Sequence, residues 1–216
     1  MKKEKQQEFD INVPKQKYIY FKRGLDILIV FCLSIIIFPI FLIVTGLVYF
    51  FDGKPAIFKQ VRTGRSGEPF TIYKLRTMKG QQAPEEYNYD WEGGVPDHFI
   101  FKSKVCPRTT KLGTFLRKSS LDEIPQLWNV LKGDMSIVGP RPEIPQITQH
   151  YNQIQTKRLL VKPGITGYAQ IHGRSDITHG QKIAYDLYYI HHISLLLDIK
   201  IIGKTAVQVL KRKGSY

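Results

Sequence analysis

Two acids stand side by side, Asp122 and Glu123, in the stretch SSLDEIPQLWNVLKGD from Ser119 to Asp134. They do so in a chain with 32 Lys+Arg against 18 Asp+Glu and a formal net charge of +14. Adjacent carboxylates repel, by roughly 4 kcal/mol at about 4 Å and an effective dielectric near 20. A cationic counterpart is therefore expected: a metal ion, nearby arginines, or both. Hard carboxylate oxygens select Mg²⁺ or Ca²⁺, and Mg²⁺ typically takes one or two carboxylates plus substrate phosphates. Arg108, Arg117 and Arg141 are candidate phosphate clamps. Arg141 is framed by Pro140 and Pro142, and a residue before proline is pushed to an extended conformation, so its side chain leaves a stiff backbone. Singly, each arginine reads as a surface charge. Grouped around a carboxylate–metal centre, bidentate guanidinium groups are what a transferring phosphate requires.

The ordinary explanation of the acids is a helix cap, because Ser120 followed by Glu123 fits S-x-x-E. Pro125 argues against it. With Ser120 as the N-cap, Pro125 would fall at the fifth helical position, lose a hydrogen bond and clash with the carbonyl of Leu121, at about 3 kcal/mol. Proline belongs at the first helical position, so the helix starts near Pro125 and leaves both acids just outside its N-terminus. There the helix dipole favours their ionised forms.

The element that would hold such a site against a membrane is equally plain. From Ile27 to Phe51 run 25 residues without a charge, where a bilayer crossing needs about 20. The run exceeds the roughly 7–15 residues of a signal-peptide core, and no small-residue cleavage site follows. A single crossing is the simplest reading, but Pro39 sits at the midpoint, where it removes a backbone donor and predicts a bend. Lys15, Lys17, Lys22 and Arg23 precede the run, and Lys54, Lys59, Arg62 and Arg65 follow it. Basic flanks mark the cytoplasmic side; symmetric ones favour a re-entrant hairpin that dips into one leaflet and returns. Ser34 is placed to bond carbonyls freed by the bend, and YFKRGLD, Tyr20 to Asp26, reads as an interfacial anchor.

Downstream, AIFKQVRTGRSGEPFTIYKLRT predicts two strands around Gly64 to Pro69, a hairpin displaying Lys59, Arg62, Lys74 and Arg76. Lys79 to Lys104 has no periodicity and reads as a long loop. Leu112, Phe115 and Leu116 predict one short helix; Ile124, Leu127, Trp128 and Leu131 predict a second, stopped by Gly133. VGPRPEIP, Val138 to Pro145, and KPGITGYAQIHGR, Lys162 to Arg174, read as loop or irregular strand. The tail, Tyr185 to Lys213, is helix-like with an apolar face and a basic end. It suits a membrane-surface helix or a core-packing one.

The fold class expected is α+β: an N-terminal re-entrant helix-break-helix, then a mostly helical cytoplasmic domain with a small β-hairpin and amphipathic interfacial helices. The divisions fall at 1–19 for a polar tail, 20–52 for the membrane hairpin and 53–216 for the catalytic domain. Cys32 and Cys106 form no CxxC or paired framework, so a reducing compartment is the default. The six histidines show no metal-ligand spacing. The charge alone permits nucleic acid as a partner, but no binding motif appears and the basic residues are interspersed, so no nucleic acid is expected.

The block RTTKLGTFLRKSSLDEIPQLWNVLKGDMSIVGPRP, Arg108 to Pro142, together with KPGITGYAQIHGR and YDLYYIHHISLLLDIKII, resembles the bacterial sugar transferases, the small monotopic polyprenyl-phosphate phosphoglycosyl transferases. The resemblance covers nearly everything from Tyr20 onward. It implies transfer of a sugar 1-phosphate from a UDP-sugar, of galactose or N-acetylhexosamine type, to undecaprenyl phosphate on the cytoplasmic face of the bacterial membrane. UMP is released, and the reaction is the first membrane step of cell-surface polysaccharide synthesis. It further implies that Asp122 is the nucleophile, that Glu123 works with Mg²⁺ bound between the two acids, and that Pro39 breaks a re-entrant helix. Lys74 of YKLRT, Arg141 of GPRP and Asp198 of LLLD match other active-site positions, and Arg76, two residues on from Lys74, joins the substrate-binding candidates. Membrane lipid and a homodimer are the remaining partners it allows. Departures are small: Cys106 stands where larger relatives often carry an acid, Tyr168 where they carry tryptophan, and His172 where they carry asparagine. They bear on sugar preference. The competing assignment is a non-catalytic membrane scaffold of a polysaccharide assembly complex.

Overall fold

A computed structural model of the protein describes residues 16–80, 89–100, 108–173 and 176–211. It opens with a long helix, α1 (Gln16–Asp52), whose middle exposes Phe31, Ile35, Ile36, Phe38 and Ile43. Pro39 lies inside α1 without interrupting it. The expected helix-break-helix is, among the described residues, helical throughout Gln16–Asp52: helical hydrogen bonds on both sides of a lost donor outweigh the local cost. Nor does Ser34 serve the carbonyl four residues before Pro39. Its hydroxyl donates to Phe31 O at 2.7 Å, the nearest carbonyl a helical serine reaches.

The hairpin forms as read. β1 (Ile57–Thr63) and β2 (Pro69–Leu75) pair antiparallel from Ile57 opposite Leu75 to Thr63 opposite Pro69, around a 3₁₀ turn at Arg65–Gly67. Two short helices follow, α2 (Lys111–Ser119) and α3 (Gln126–Lys132), the latter closed by Gly133 at φ 94°. KPGIT, read as loop or irregular strand, supplies one strand of a second sheet, and the residues leading into VGPRP supply the other: β3 (Ser136–Val138) lies parallel to β4 (Gly164–Thr166). At three residues each, these strands are too short to show a period. Between them stand α4 (Pro145–Thr148), α5 (Gln153–Thr156) and a 3₁₀ turn at Lys157–Leu160. After β4 come α6 (Tyr168–His172), α7 (His179–His191) and α8 (Leu195–Leu210). The tail is thus two helices, parted where Ser194 turns extended and caps α8 by accepting from Leu197 N.

The main core joins Val30 of α1 to Ile72, Val130, Met135, Ile137, Ile183, Ile190 and Ile201. A second cluster sets Val44 and Val48, near the other end of α1, against Leu75 and Leu116. Both ends of α1 therefore pack on one body. The stretch from Lys79 to Lys104 falls partly outside the described residues, but its middle is no bare loop. Trp91 stacks on Tyr89, ring centroids 4.1 Å apart, and both join Val95, Phe99, Ile144 and Ile147 in a third cluster. Cys106 lies outside the described residues.

Candidate active site

α2 ends at Ser120, a non-glycine residue in the left-handed region (φ 57°), whose side chain makes no capping bond. The left-handed turn reverses the chain, Leu121–Glu123 make one 3₁₀ turn, and Pro125 precedes α3. Asp122 and Glu123 are thus presented on a tight turn before a helix N-terminus, and S-x-x-E is not a capping box.

The two acids occupy unlike surroundings. Glu123 Oε1 accepts from Lys74 Nζ at 2.8 Å and from Arg141 Nη2 at 2.9 Å. Burial would push the Glu123 carboxyl up, but Arg141 and Lys74 together outweigh it and hold it well below the usual carboxylate range. Asp122, only 9 % exposed, takes no hydrogen bond and no ion pair among the described residues. Burial, with Glu123 beside it, pushes its carboxyl up to about 6, against the pull of Lys74, Arg141 and Arg117. Environments that drive paired acids apart assign them different work. Here one carboxylate is held through Oε1 by two cations and its neighbour is ionised at neutral pH with its oxygens unengaged.

Arg141 is held by its backbone. Four successive carbonyls of the GPRPE turn accept hydrogen bonds from three segments: Pro140 from Gly164 N (2.9 Å), Arg141 from Arg158 Nη2 (3.0 Å), and Pro142 and Glu143 from the end of β1, through Arg62 Nη1 (3.2 Å) and Thr63 N (2.9 Å). A Cβ on Gly139 would meet Lys162 O at 2.4 Å, and one on Gly164 would meet Gly139 N at 2.1 Å, so both positions require glycine for the backbones to touch. Beneath the turn, Arg158 Nη2 lies 2.6 Å from Asp186 Oδ2, and Lys182 Nζ bonds Glu143 Oε1 at 2.8 Å. Arg158 and Asp186 are 2 % and 1 % exposed. These four residues escaped the sequence reading; Arg158 and Asp186 sit on separate, unremarkable runs, and only the weak hint of charge within an apolar pattern (Asp186 in YDLYYI) marks them.

Not every sequence-predicted residue converges here. Lys74, Arg141, Asp122 and Glu123 do, with Arg117 within electrostatic reach of Asp122 while its Nε bonds Thr77 Oγ1 at 3.0 Å. Arg76 instead donates to the carbonyls of Asp52, Gly53 and Lys54, closing the C-terminal end of α1. Asp198 pairs with Lys22 Nζ at 2.5 Å and accepts from Tyr189 Oη at 2.7 Å, tying α8 to the start of α1. Arg108 is exposed beside the Met78–Thr109 bridge, its carbonyl accepting from Lys79 N at 2.9 Å.

The donors a divalent cation would find are two carboxylates. Lys74 and Arg141 both take Glu123 Oε1, leaving Oε2 and the Asp122 carboxylate as hard oxygen donors. Among the described residues no group of three or more His, Cys, Asp or Glu converges. Two carboxylate donors, completed by substrate phosphates and water, are the habit of Mg²⁺ rather than of Zn²⁺.

A cation-clamped acid pair at a helix N-terminus, carried by a body that holds both ends of an apolar helix, defines a membrane-associated enzyme that handles phosphate. The chain belongs to the bacterial sugar transferase family, whose sequence profile matches residues 17–212. It is 38 % identical over 198 residues to the exopolysaccharide production protein ExoY of Sinorhizobium fredii, covering 90 % of this chain and 88 % of that one. The sugar transferase EpsL of Bacillus subtilis is 45 % identical over 163 residues, 75 % of this chain and 73 % of that one. The undecaprenyl-phosphate galactose phosphotransferase of Salmonella typhimurium is 39 % identical over 214 residues, 95 % of this chain but 44 % of that longer protein.

Proposed function

We propose that the protein transfers a sugar 1-phosphate from a UDP-sugar to undecaprenyl phosphate through a phosphosugar bound to Asp122. The observation that carries this is the inequality of the two acids: Glu123 Oε1 is clamped by Lys74 and Arg141, whereas Asp122 takes no hydrogen bond or ion pair among the described residues. An Asp122 oxygen attacks the phosphorus that bears the sugar, the bond from that phosphorus to the bridging oxygen breaks, and UMP departs with the bridging oxygen. The product is an acyl phosphate on Asp122. An oxygen of undecaprenyl phosphate then attacks the same phosphorus, expelling the carboxylate and giving the lipid diphosphate sugar. Arg141 and Lys74 offset charge that gathers on the phosphoryl oxygens. Mg²⁺, held by Asp122 and Glu123 Oε2, would supply Lewis-acid neutralisation of the diphosphate. The relatives named as undecaprenyl-phosphate galactose phosphotransferase and UDP-glucose:undecaprenyl-phosphate glucose-1-phosphate transferase (the latter from Klebsiella pneumoniae) support the substrate pair.

A lipid acceptor asks for a site at headgroup depth, and α1, if it bends at Pro39 while staying helical, would enter and leave one leaflet at the cytoplasmic face. A crossing would place its ends on opposite sides of about 30 Å of hydrocarbon. Supporting the re-entrant reading, Arg23 holds the carbonyls of Val130 and Leu131, while Arg76 holds those of Asp52 to Lys54. Exposed Trp128, Leu196 and Ile199 extend the apolar surface beyond α1. The deciding experiment incubates the protein with a panel of UDP-sugars, undecaprenyl phosphate and Mg²⁺. UMP release that vanishes in Asp122→Asn supports the proposal; unchanged turnover in that variant refutes the nucleophile.

A further inference from the structure

A second cationic site lies at the opposite end of α3 from the acid pair. It is a cleft of about 50 Å³, open to solvent, between the start of α1, the hairpin tip and the segment after the Lys157–Leu160 turn. Its charged rim is Lys22, Arg23, Arg65 and Lys162; its apolar wall includes Leu160, Val138 and Ile193. Lys22 is paired with Asp198, and Arg23 serves the α3 carbonyls. Asp26, the acid in the lining, is engaged by Ile137 N at 3.2 Å. Neither Arg65 nor Lys162 forms an ion pair among the described residues, although Asp26 and Asp134, themselves engaged by Ile137 N and Lys132, lie within electrostatic reach of Lys162. Lys162 and Arg23 approach each other over Gly133: a Cβ there would lie 3.4 Å from Lys162 Nζ and 3.5 Å from Arg23 Nη2. Burial, then the neighbouring Arg23 and Arg65, lowers the Lys162 ammonium from its ordinary value. Independently of these cations, the cleft is lined by Ser136, 3 % exposed, whose buried Oγ has no hydrogen-bond partner among the described residues.

Crowded, partly desolvated cations beside an orphaned buried hydroxyl are an incomplete arrangement. An anion with acceptor oxygens would complete it, since it repays the desolvation of Lys162 and satisfies Ser136. Inorganic phosphate would leave the apolar wall unused. We propose that this cleft binds an anionic phospholipid, its phosphate held by Lys162, Arg65 and Ser136 and its first methylene groups lying on Leu160 and Ile193. The assignment rests on α1 being in lipid, because Tyr18 and Lys22, which line the cleft, precede the apolar run by less than three turns.

The test uses the full chain in mild detergent, with native mass spectrometry reading adducts of short-chain phosphatidylglycerol, matched phosphatidylcholine, inorganic phosphate and undecaprenyl phosphate. Phosphatidylglycerol should bind in preference to phosphatidylcholine, and Arg65→Gln with Lys162→Gln should weaken it by about tenfold. Arg65→Gln alone, at an exposed turn, keeps the test meaningful if the double variant misfolds; it should weaken binding several-fold. Equal binding of phosphatidylglycerol by wild type and Arg65→Gln, or equal binding of the two phospholipids, overturns the site. Inorganic phosphate binding as tightly as phosphatidylglycerol, or undecaprenyl phosphate displacing it at far lower concentration, overturns the phospholipid assignment. UMP release is read in the same micelles. A chain that releases UMP but shows no lipid preference loses this site and keeps its transferase reading; one that shows the preference without UMP release does the reverse.

Discussion

Arg158 Nη2 donates to the backbone carbonyl of Arg141 across 3.0 Å while lying 2.6 Å from the Asp186 carboxylate. A guanidinium group that reaches Glu123 thus stands on a turn whose rigidity depends on a second, buried guanidinium group. Removing one partner of a buried ion pair costs about 3–5 kcal/mol, so Arg158→Met should lower the unfolding midpoint sharply. Arg158→Lys keeps the charge but loses the fork whose Nη2 meets Asp186 and Arg141 O while Nη1 donates to Tyr151 Oη. It should fold and release UMP at least about tenfold more slowly, by misplacing Arg141. Thermal melts alongside initial rates separate the two effects.

The unequal acids predict the pH profile. Asp122 must be ionised to attack, and its carboxyl sits at about 6. The rate of donor cleavage should therefore be level at neutral pH, half-maximal near about 6 and fall about tenfold per unit below that. Lys74 pulls the Asp122 carboxyl down, so Lys74→Met should move the acid limb to higher pH as well as lowering the plateau. A limb that stays put in Lys74→Met would mean that another group titrates.

Chelation gives a separate check. With Glu123 Oε1 already engaged by two side chains, only Oε2 and Asp122 remain for a cation. EDTA should abolish UMP release and Mg²⁺ restore it, while Zn²⁺, which prefers nitrogen and sulfur ligands, should not. Rates before and after metal replenishment decide it.

Arg76 should behave as a structural residue. It bonds three carbonyls at the end of α1, and losing such contacts costs about 1–3 kcal/mol. Arg76→Ala is expected to lower thermal stability while leaving KM for the UDP-sugar within about twofold. A tenfold rise in KM without loss of stability would return Arg76 to the substrate-binding set.

The membrane geometry is open to labelling. Single cysteines introduced as Lys17→Cys or Lys54→Cys, in a Cys32→Ser, Cys106→Ser background, should react with an impermeant maleimide from the same face of sealed vesicles. Reaction from opposite faces would mean that α1 crosses the bilayer.

Much of this molecule is legible without its coordinates. A proline at position 125 excludes the capping box, a 25-residue uncharged run demands lipid, and Gly64 to Pro69 between two β-rich segments makes a hairpin. These are local consequences of covalent geometry and short-range patterning, which a linear sequence carries in full. The parallel pairing of β3 with β4 was not legible, because three-residue strands joined through distant segments have no period of their own. Nor was the sorting of Arg76 and Asp198 away from the acid pair, since a charged residue in a motif carries no label for the partner it will meet. Lys74 meets Glu123 across 49 positions, and Arg158 reaches Arg141 from 17. Which acid is clamped and which is left free to react depends on contacts of about 3 Å and on desolvation. Both exist only once the chain has closed on itself.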